Sequence, residues 1–441
     1  MKALILAAGN GTRMQPVTQG RHKALMSLLG LKIIERVILG AKKAGINEFV
    51  IVTGYKDNDL HKFLGGRKKY NVSISFVHNN NWEKANGISV LLAKEYFNEN
   101  FVLLMSDHVF DPTTLIRIQR IKLKKNECVL ATDKNLDGVL DVVDTTKVLK
   151  KGNEIIDLNK NLKNYNAYDT GMFICSPHIF EVLKKTTSSG KNSLSDGMRV
   201  IAKEGNLKNM DNKGNFWADC DTWKDIQFAR NKLIDSLTKG GDGLISKYFN
   251  RKISTLFSRY LVNTPITPNV ISAITLSLSI PAFFMLASGI YPWLIFGGLL
   301  IQLMSILDGV DGEIARMKFT DSNWGGFLDA VLDKYVDTVV IVGMTLGYLK
   351  ITGSTLIIPI SLFIIFGLNL DGYMPNKFKV MSGKRLKFSI LGFINIKRDL
   401  RLLILSLGAI FNLIPLSFVL LLVLLHLKVL IRLISAKQLG K

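Results

Sequence analysis

Four aspartates stand in a part of the chain whose apolar runs are long enough to span a lipid bilayer. Asp308 and Asp311 are three residues apart, and Asp329 and Asp333 are four apart. On helices each pair lies on one face, so two packed helices would bring four carboxylates together. Such a set suits hard divalent cations such as Mg²⁺ or Mn²⁺. The alternative, acids that cap or bridge helix ends, is disfavoured because idle acids are costly at membrane depth.

Small residues lie between the two acid pairs. Gly312, Ala315 and Gly325 would let helices approach closely or leave room for a flat ligand beside the acids. The stretch matches the pattern D-x2-D-G-x2-A-R-x8-G-x3-D-x3-D at every fixed position, and it therefore resembles the CDP-alcohol phosphotransferase family. The resemblance implies two metals held by the four aspartates, with Asp333 also acting as general base. It implies CDP contacts from Gly312, Ala315 and Arg316.

Composition limits the classes of protein that this chain can represent. It has 441 residues, 48% of them hydrophobic, and a formal charge of +22, and its length exceeds that of a typical single domain. The densest basic cluster lies beside the apolar runs, so anionic headgroups and phosphorylated substrates explain the charge better than nucleic acid does. Cys128, Cys175 and Cys220 show no metal-ligand spacing and predict buried, reduced thiols.

A glycine-rich turn follows the first apolar run, residues 2–7, which predicts a buried strand. The turn reads Ala8-Gly9-Asn10-Gly11-Thr12-Arg13. Backbone N–H groups in such a turn can face phosphate, although a plain tight turn is the alternative. Together with Lys23-Ala-Leu, the pattern L-A-A-G-x-G-T-R-x-x-P…K-A-L resembles the nucleotidyltransferase family that makes nucleoside-diphosphate sugars and CDP-choline. The usual proline before the lysine is His22 in this chain.

This second resemblance assigns roles to residues in the first half of the chain. Attack of a phosphate monoester on the α-phosphorus of a nucleoside triphosphate gathers negative charge, which Arg13 and Lys23 would neutralise. Lys160 stands where the family holds the acceptor phosphate. The resemblance implies nucleotide contacts from Ala8, Gly9, Gly11, Thr12, Asn86 and Gly87.

Helix-like and strand-like segments alternate between residues 31 and 132. Helical periodicity covers 31–44 and 87–97, and runs typical of strands cover 48–53, 72–77, 101–106 and 128–132. The alternation predicts a mostly parallel, Rossmann-like α/β sheet with ligands beyond the carboxyl ends of its strands. Asp107 follows one such end, and the resemblance makes it a Mg²⁺ ligand. The second acid is Asp219 by alignment, with Asp221 as the alternative.

The segment 244–262 follows a flexible link at Gly240–Gly243. Its apolar residues recur at helical spacing with Lys247, Arg251 and Arg259 among them, which predicts an amphipathic helix on the membrane surface. A helix packed on the soluble domain is the alternative.

Six segments after residue 265 are predicted to span a membrane as an all-α bundle. They are 270–288, 291–308, 325–348, 354–371, 401–414 and 416–434. Lys and Arg concentrate in the loops on one side of the predicted bundle. The positive-inside rule therefore predicts a plasma-membrane protein in which both termini and the mouth of the acid cluster face the cytoplasm. In the basic loop 377–401, Arg398, Arg401 and Lys384 are candidate ligands for an acceptor phosphate, whereas topology alone explains many of its charges.

Both motifs in this order resemble the bifunctional CTP:inositol-1-phosphate cytidylyltransferase/di-myo-inositol-phosphate-phosphate synthase family. We therefore expect a cytidylyltransferase domain at 1–239, a linker and juxtamembrane helix at 240–264, and a phosphotransferase domain at 265–441. The resemblance implies CTP, inositol 1-phosphate and CDP-inositol as substrates, Mg²⁺ or Mn²⁺ in both domains, contact with membrane lipid, and a homodimer. The distribution of the basic residues predicts no nucleic-acid partner. The alternative is transfer to a lipid hydroxyl, which would make a phospholipid headgroup.

Overall fold

Short apolar runs in the first half of the chain form strands, as their β-branched and aromatic content favours. A computed structural model describes residues 1–14, 20–65, 70–136, 144–237, 245–384 and 396–439. Its strands are Ala3–Ala7 (β1), Ser27–Leu28 (β2), Leu31–Lys32 (β3), Glu48–Thr53 (β4), Ser73–His78 (β5), Phe101–Met105 (β6), His108–Phe110 (β7), Cys128–Asp133 (β8), Lys147–Lys151 (β9), Glu154–Asn159 (β10), Ala167–Cys175 (β11), Leu207–Asp211 (β12) and Trp217–Asp219 (β13).

Nine of the described strands form one sheet in the order β5-β4-β1-β6-β11-β8-β12-β10-β9. β1 pairs in parallel with β4 and β6, so three carboxyl ends meet at one edge, as predicted. The prediction of a mostly parallel sheet is wrong beyond β6, because β11 runs antiparallel between β6 and β8. Of the nine strand pairings in the described sheet, four are parallel and five antiparallel.

Helices cover both faces of the sheet, so β1 is buried on both sides. Ala3, Ile5 and Ala7 join one apolar core, and Leu4 and Leu6 join the other, as the alternation of side chains along a strand requires. Burying a side chain such as that of Ile5 contributes roughly 1.5–3 kcal/mol. The helices of this unit, Met1–Ser236, are Ile33–Lys43 (α1), Asp57–Leu64 (α2), Gly87–Leu92 (α3), Pro112–Ile118 (α4), His178–Ser188 (α5), Leu194–Lys203 (α6) and Trp223–Ser236 (α7).

The second unit, Leu237–Lys441, is helical throughout its described residues. The predicted link at Gly240–Gly243 lies outside the described residues. A π-helical turn, Ser246–Asn250, leads into the first α-helix. The helices are Arg251–Leu261 (α8), Pro268–Ala287 (α9), Tyr291–Lys318 (α10), Asn323–Thr352 (α11), Ile357–Ser382 (α12), Arg398–Ile410 (α13) and Ile414–Leu439 (α14).

Four of the described helices are long and apolar enough to cross a membrane: α9, α10, α12 and α14. Four of the six predicted spans therefore meet the length and composition that a membrane-spanning helix needs. α11 carries Asp329, Asp333, Lys334 and Asp337 within its length, and these charges lower its hydropathy. α13 has 13 residues, which rise only about 20 Å, against a hydrocarbon core of about 30 Å. The outward faces of the long helices are apolar, as lipid contact requires.

Helix α8 is amphipathic, but its polar side faces inward. The buried carboxylate of Glu313 on α10 accepts hydrogen bonds from Arg251 (2.5 Å), Ser254 (2.7 Å) and Ser258 (2.5 Å). The outward face, including the preceding turn, is apolar and exposed. It comprises Tyr248, Phe249, Leu256, Phe257 and Tyr260. This arrangement fits a helix lying at a lipid surface.

Candidate active sites

The glycine-rich turn lies at the carboxyl end of β1 and is held there by the loop that follows it. Gly11 has φ +58°, and a Cβ at this position would lie 2.9 Å from Cβ of Lys23, so only glycine fits without strain. The ring of His22 contacts the carbonyl oxygen of Ala7 at 3.0 Å, and its Nδ1 accepts from Ala24 N–H at 3.1 Å. Burial lowers the pKa of His22, which keeps the neutral form that this donor–acceptor pattern needs.

Lys23 and Arg13 project from this loop onto carboxylates. Lys23 Nζ donates to Asp107 Oδ2 at 2.8 Å and also contacts Asp221. Arg13 contacts Asp221 and Asp144. Burial alone would lower the pKa of Lys23, but Asp107 and its acidic neighbours raise it above its ordinary value. Lys23 is therefore charged, and it lies with Arg13 at one edge of the sheet.

Asp107, His108 and Asp219 form a cluster whose ligand atoms all lie within 4.8 Å of one another. The antiparallel ladder between β7 and β13 pairs His108 directly with Asp219. His108 Nδ1 lies 2.9 Å from Asp107 Oδ1 and 3.9 Å from Asp219 Oδ1. Asp219 Oδ1 is buried and has no hydrogen-bond partner among the described residues. An orphaned buried carboxylate oxygen beside a second carboxylate fits a divalent cation.

The pKa values in this cluster are set by burial and by close opposite charges. Burial would lower the pKa of His108, but Asp219 and Asp107 raise it to about 9. Burial would raise the pKa of Asp107, yet Lys23 and His108 hold it well below its ordinary value. Burial raises the pKa of Asp219. The directions of the two pKa shifts differ because Lys23 and His108 donate hydrogen bonds to Asp107 and not to Asp219.

Two adjoining cavities meet at Asn86, Asp107 and Asp221, which line both. The predicted nucleotide and phosphate residues around the first are Ala8, Gly9, Gly11, Thr12, Arg13 and Lys23. The ionisable residues that line only the second cavity are His108, Asp144, Lys160, Asp169 and Asp219. The remaining predicted residue, Gly87, packs against the carbonyl oxygen of Asn192, only 2.6 Å from where a Cβ would lie, and does not line either cavity.

The second acid cluster joins α10 and α11. Ligand oxygens of Asp308, Asp329 and Asp333 lie within 4.8 Å of one another. The fourth acid of the pattern, Asp311, accepts a hydrogen bond from Ser272 Oγ at 2.6 Å. A set of carboxylate oxygens at one point suits a hard divalent cation.

A cavity opens beside these acids, and it has room because its walls carry small residues. Asp311 and Asp329 both line it. The other residues of the D-x2-D-G-x2-A-R pattern that line the cavity are Gly312, Ala315, Arg316 and Gly325. The structure therefore brings six of the eight fixed residues of the pattern around one space, whereas Asp308 and Asp333 do not line it.

The predicted acceptor residues of this unit occupy different places. Arg398 Nη1 lies 2.5 Å from Asp308 Oδ1 and 2.6 Å from Asp333 Oδ1. Arg401 forms ion pairs with Asp337 and Asp371 and not with the aspartates of the metal-binding pattern, among the described contacts. Lys384 is exposed beyond the carboxyl end of α12, where its backbone N–H donates to Ser382. The other basic residues of the loop between 385 and 395 lie outside the described residues.

Several residues of both sites escaped the sequence reasoning. His108 directly follows Asp107, and its participation depends on a ladder of three-residue strands that carries no readable period. Ser272 has no signal in sequence beyond its place at the start of an apolar segment. Asp337 and Asp371 did carry a signal in the sequence, because both are acids inside apolar segments. Asp337 also continues the four-residue spacing of Asp329 and Asp333.

Comparisons with known proteins agree with this geometry. The family model for nucleotidyl transferase matches residues 2–236, and that for CDP-alcohol phosphatidyltransferase matches residues 265–434. A protein of Archaeoglobus fulgidus is 34% identical over 95% of this chain and 80% of its own length, and one of Rubrobacter xylanophilus is 30% identical over 92% and 90%. Both are named bifunctional IPC transferase and DIPP synthase. This chain belongs to that family.

A member of the bifunctional IPC transferase and DIPP synthase family is an enzyme with two transferase parts. Both component families depend on divalent metals, and the chain carries one acid cluster in each part. The apolar helices α9, α10, α12 and α14 associate the protein with a membrane. A solved inositol-1-phosphate CTP transferase of T. maritima is 25% identical over 52% of this chain and 94% of that chain, with a TM-score of 0.47.

Proposed function

We propose that this enzyme makes CDP-inositol from CTP and inositol 1-phosphate, and then transfers phosphoinositol from CDP-inositol to a second inositol 1-phosphate with release of CMP. The observation that carries the proposal is the presence of two acid clusters, each beside basic side chains, in two units that match two different transferase families. The names of the relatives supply the alcohol.

In the first reaction a phosphate oxygen of inositol 1-phosphate attacks the α-phosphorus of CTP. The bond from that phosphorus to the β-phosphate oxygen breaks, and pyrophosphate leaves with the electron pair. Arg13 and Lys23 neutralise the triphosphate in the first cavity, and Lys160 holds the attacking phosphate in the second. Asp107 and Asp219 would hold Mg²⁺ or Mn²⁺, which supplies further charge neutralisation. We favour Asp219 over Asp221 because Asp221 is already paired with both cations.

The residues around the glycine-rich turn bind the nucleotide in this proposal. Their backbone N–H groups lie where a phosphate chain can meet them. The binding set is Ala8, Gly9, Gly11, Thr12 and Asn86. Gly87 acts indirectly, because its lack of a side chain allows α3 to pack against Asn192.

In the second reaction a hydroxyl of inositol 1-phosphate attacks the β-phosphorus of CDP-inositol, and the bond to CMP breaks. Asp333 accepts the hydroxyl proton. Arg398 and Arg401 bind the acceptor phosphate, and the exposed Lys384 attracts it at longer range. The four aspartates Asp308, Asp311, Asp329 and Asp333 would hold Mg²⁺ or Mn²⁺, which polarises the pyrophosphate. The cavity residues Gly312, Ala315 and Arg316 bind the CDP group.

The proposal also covers location and assembly. Residues 1–239 form the cytidylyltransferase domain, 240–264 the linker and juxtamembrane helix, and 265–441 the phosphotransferase domain. The one-sided distribution of Lys and Arg supports a cytoplasmic position for both termini and both sites in a multi-pass plasma-membrane protein. The exposed apolar face of α8 supports contact with lipid. A homodimer rests on the family resemblance.

The test is ³¹P NMR of the purified full-length protein with CTP, Mg²⁺ and inositol 1-phosphate. We expect signals of pyrophosphate and CDP-inositol, followed by CMP and a phosphodiester that stays in the aqueous phase on partition against organic solvent. CDP-inositol that accumulates until lipid is added would move the second reaction to a lipid acceptor. If no pyrophosphate forms, inositol 1-phosphate is not the substrate.

A further inference from the structure

Asp371 on α12 is the common counter-ion of three buried cations. Lys428 Nζ lies 2.9 Å and Arg432 Nη1 2.5 Å from Asp371 Oδ1, and Arg401 Nη1 lies 3.2 Å from Oδ2. Arg401, Lys428 and Arg432 are 7%, 3% and 9% exposed. Holding three cations together away from water costs free energy that one carboxylate partly offsets. An arrangement of this kind needs a reason beyond packing.

Arg401 links this buried charge cluster to the acid cluster of the second site. Arg401 Nη2 lies 3.3 Å from Asp337 Oδ2, and Arg398 Nε lies 3.1 Å from Asp337 Oδ1. The same guanidinium of Arg398 contacts both Asp308 and Asp333. Charges of opposite sign therefore alternate from the acid cluster into the bundle. The order is Asp308 and Asp333, Arg398, Asp337, Arg401, Asp371, then Lys428 and Arg432.

Helix geometry explains why these two acids control the arginines. Asp337 lies one turn after Asp333 on α11, and Asp371 lies on α12. Arg398 and Arg401 are i,i+3 on α13 and share one face. An arginine side chain has many rotamers, and burying it in one of them costs up to about 2 kcal/mol of conformational entropy. Carboxylates on neighbouring helices select one rotamer for each arginine.

We propose that Asp337 and Asp371 are positioning residues of the second reaction, which hold Arg398 and Arg401 where these arginines bind the phosphate of the acceptor. The inference rests on the proposed function. Two donors support it: Arg398 Nη2 and Arg401 Nε are buried and have no hydrogen-bond partner among the described residues. Buried donors are rarely left unsatisfied, and an acceptor phosphate can satisfy them. Bidentate arginine–phosphate pairs are among the strongest hydrogen bonds in proteins.

The test measures steady-state kinetics of the second reaction alone, with CDP-inositol supplied and CMP release as the readout. Asp371→Asn is expected to raise KM for inositol 1-phosphate about tenfold, because charge-assisted hydrogen bonds that order Arg401 are lost. KM for CDP-inositol and the rate of CDP-inositol formation from CTP are expected to stay unchanged. Asp337→Asn is expected to act in the same direction and also to lower kcat, since Arg398 contacts Asp333.

Three further variants separate positioning from general stability. Asp371→Glu keeps the charge and is expected to recover most of the affinity for inositol 1-phosphate. Asp371→Asn combined with Arg432→Gln removes one acid and one cation together and is expected to recover part of it. Asp399→Asn is the matched control. Asp399 lies on α13 next to Arg398, and among the described residues its carboxylate accepts a backbone hydrogen bond from Ser246 at 2.6 Å, which asparagine can also accept.

The outcomes that overturn the inference are distinct from failure of the proposed function. If the wild-type protein transfers to inositol 1-phosphate but Asp371→Asn behaves like Asp399→Asn, the two acids do not position the arginines. A parallel rise of KM for both substrates, without recovery in Asp371→Glu, would also overturn it, because it indicates loss of the fold. A wild-type protein that does not transfer to inositol 1-phosphate overturns both proposals.

Discussion

The two acid clusters of this enzyme solve the same chemical problem in different surroundings. Asp107 lies in the turn before β7 and Asp219 ends β13. Of the nearby cations, Lys23 contacts Asp107 and Arg13 contacts the neighbouring Asp221. In the helical unit the acids are on two long helices, and the nearest cation is the buried Arg398. Water can solvate the outer charges of the first site, Arg13, Asp144 and Lys160, whereas charges at membrane depth need protein partners. Ion pairs of alternating sign therefore extend from the second site into the bundle, through Arg398, Asp337, Arg401 and Asp371.

This difference predicts how far the effect of a substitution extends through each unit. In the first unit the pairs that Asp144 makes with Arg13 and Lys160 are partly exposed, so water can replace them at low cost and the effects of a substitution should stay local. In the helical unit, removal of one partner leaves a buried charge without compensation, which typically costs 3–5 kcal/mol. The following predictions test this contrast, from the largest expected effect to the smallest.

Asp333→Asn should remove the general base of the second reaction. We expect CMP release from CDP-inositol to fall by about 10³-fold or more, in line with the contribution of general base catalysis and a metal ligand. Formation of CDP-inositol from CTP should be unchanged, because Asp333 belongs to the other unit. Both rates can be followed in one sample by ³¹P NMR. Loss of both reactions in a folded protein would contradict the assignment of the two reactions to two sites.

Lys23→Ala should slow the first reaction and leave the second unchanged. The side chain is buried against Asp107, and removing a preorganised cation that stabilises transferring phosphate costs about 10²–10³-fold in rate. Pyrophosphate release from CTP should fall by that factor, while transfer from supplied CDP-inositol stays normal. Lys2→Ala is the control, because Lys2 forms only an exposed pair with Glu48. A normal first rate in Lys23→Ala would remove Lys23 from the site.

Gly171→Ala should lower the first rate about tenfold by displacing His108. Gly171 has φ +74°, and a Cβ there would lie 2.4 Å from His108 Cδ2. The backbone strain costs of order 1–3 kcal/mol. Gly152→Ala is a matched control, since Gly152 has φ +60° and nothing within 4 Å of an added Cβ. Thermal unfolding should show a similar loss of stability in both variants, and only Gly171→Ala should slow pyrophosphate release. Equal rates would show that the position of His108 does not matter.

The sequence predicts the second site more completely than the first. Its acids fall within a stretch of 26 residues, from Asp308 to Asp333. Helical spacing puts each pair on one face, and the packing of two consecutive helices, α10 and α11, brings Asp308, Asp329 and Asp333 together. Asp107 could be placed at a strand end, but the contact between His108 and Asp219 depends on the ladder of two three-residue strands. No local period reveals such a pairing.

Long-range pairing also explains the errors in the fold. Nothing local indicates that β11 runs antiparallel between β6 and β8, because strand direction is set by tertiary packing. Six of the described helices follow residue 265, as the hydropathy pattern predicts, and α9, α10, α12 and α14 are each long and apolar enough to span a membrane. The polar, inward face of α8 depends on the buried partner Glu313, which lies some sixty residues later in the sequence.

Asp144→Asn sharpens the contrast with Asp371 because both acids contact more than one cation. Asp144 contacts Arg13 and lies 3.2 Å from Lys160 Nζ, but the side chains of Asp144 and Arg13 are 39% and 40% exposed. Exposed pairs contribute about 0.2–1 kcal/mol. KM for CTP and for inositol 1-phosphate in the first reaction should therefore change by no more than about fivefold. Asp211→Asn, which removes an exposed pair with Lys134 outside both cavities, should change neither. A tenfold or larger rise of KM in Asp144→Asn would mean that the site of the first unit, like that of the helical unit, depends on a carboxylate that water cannot replace.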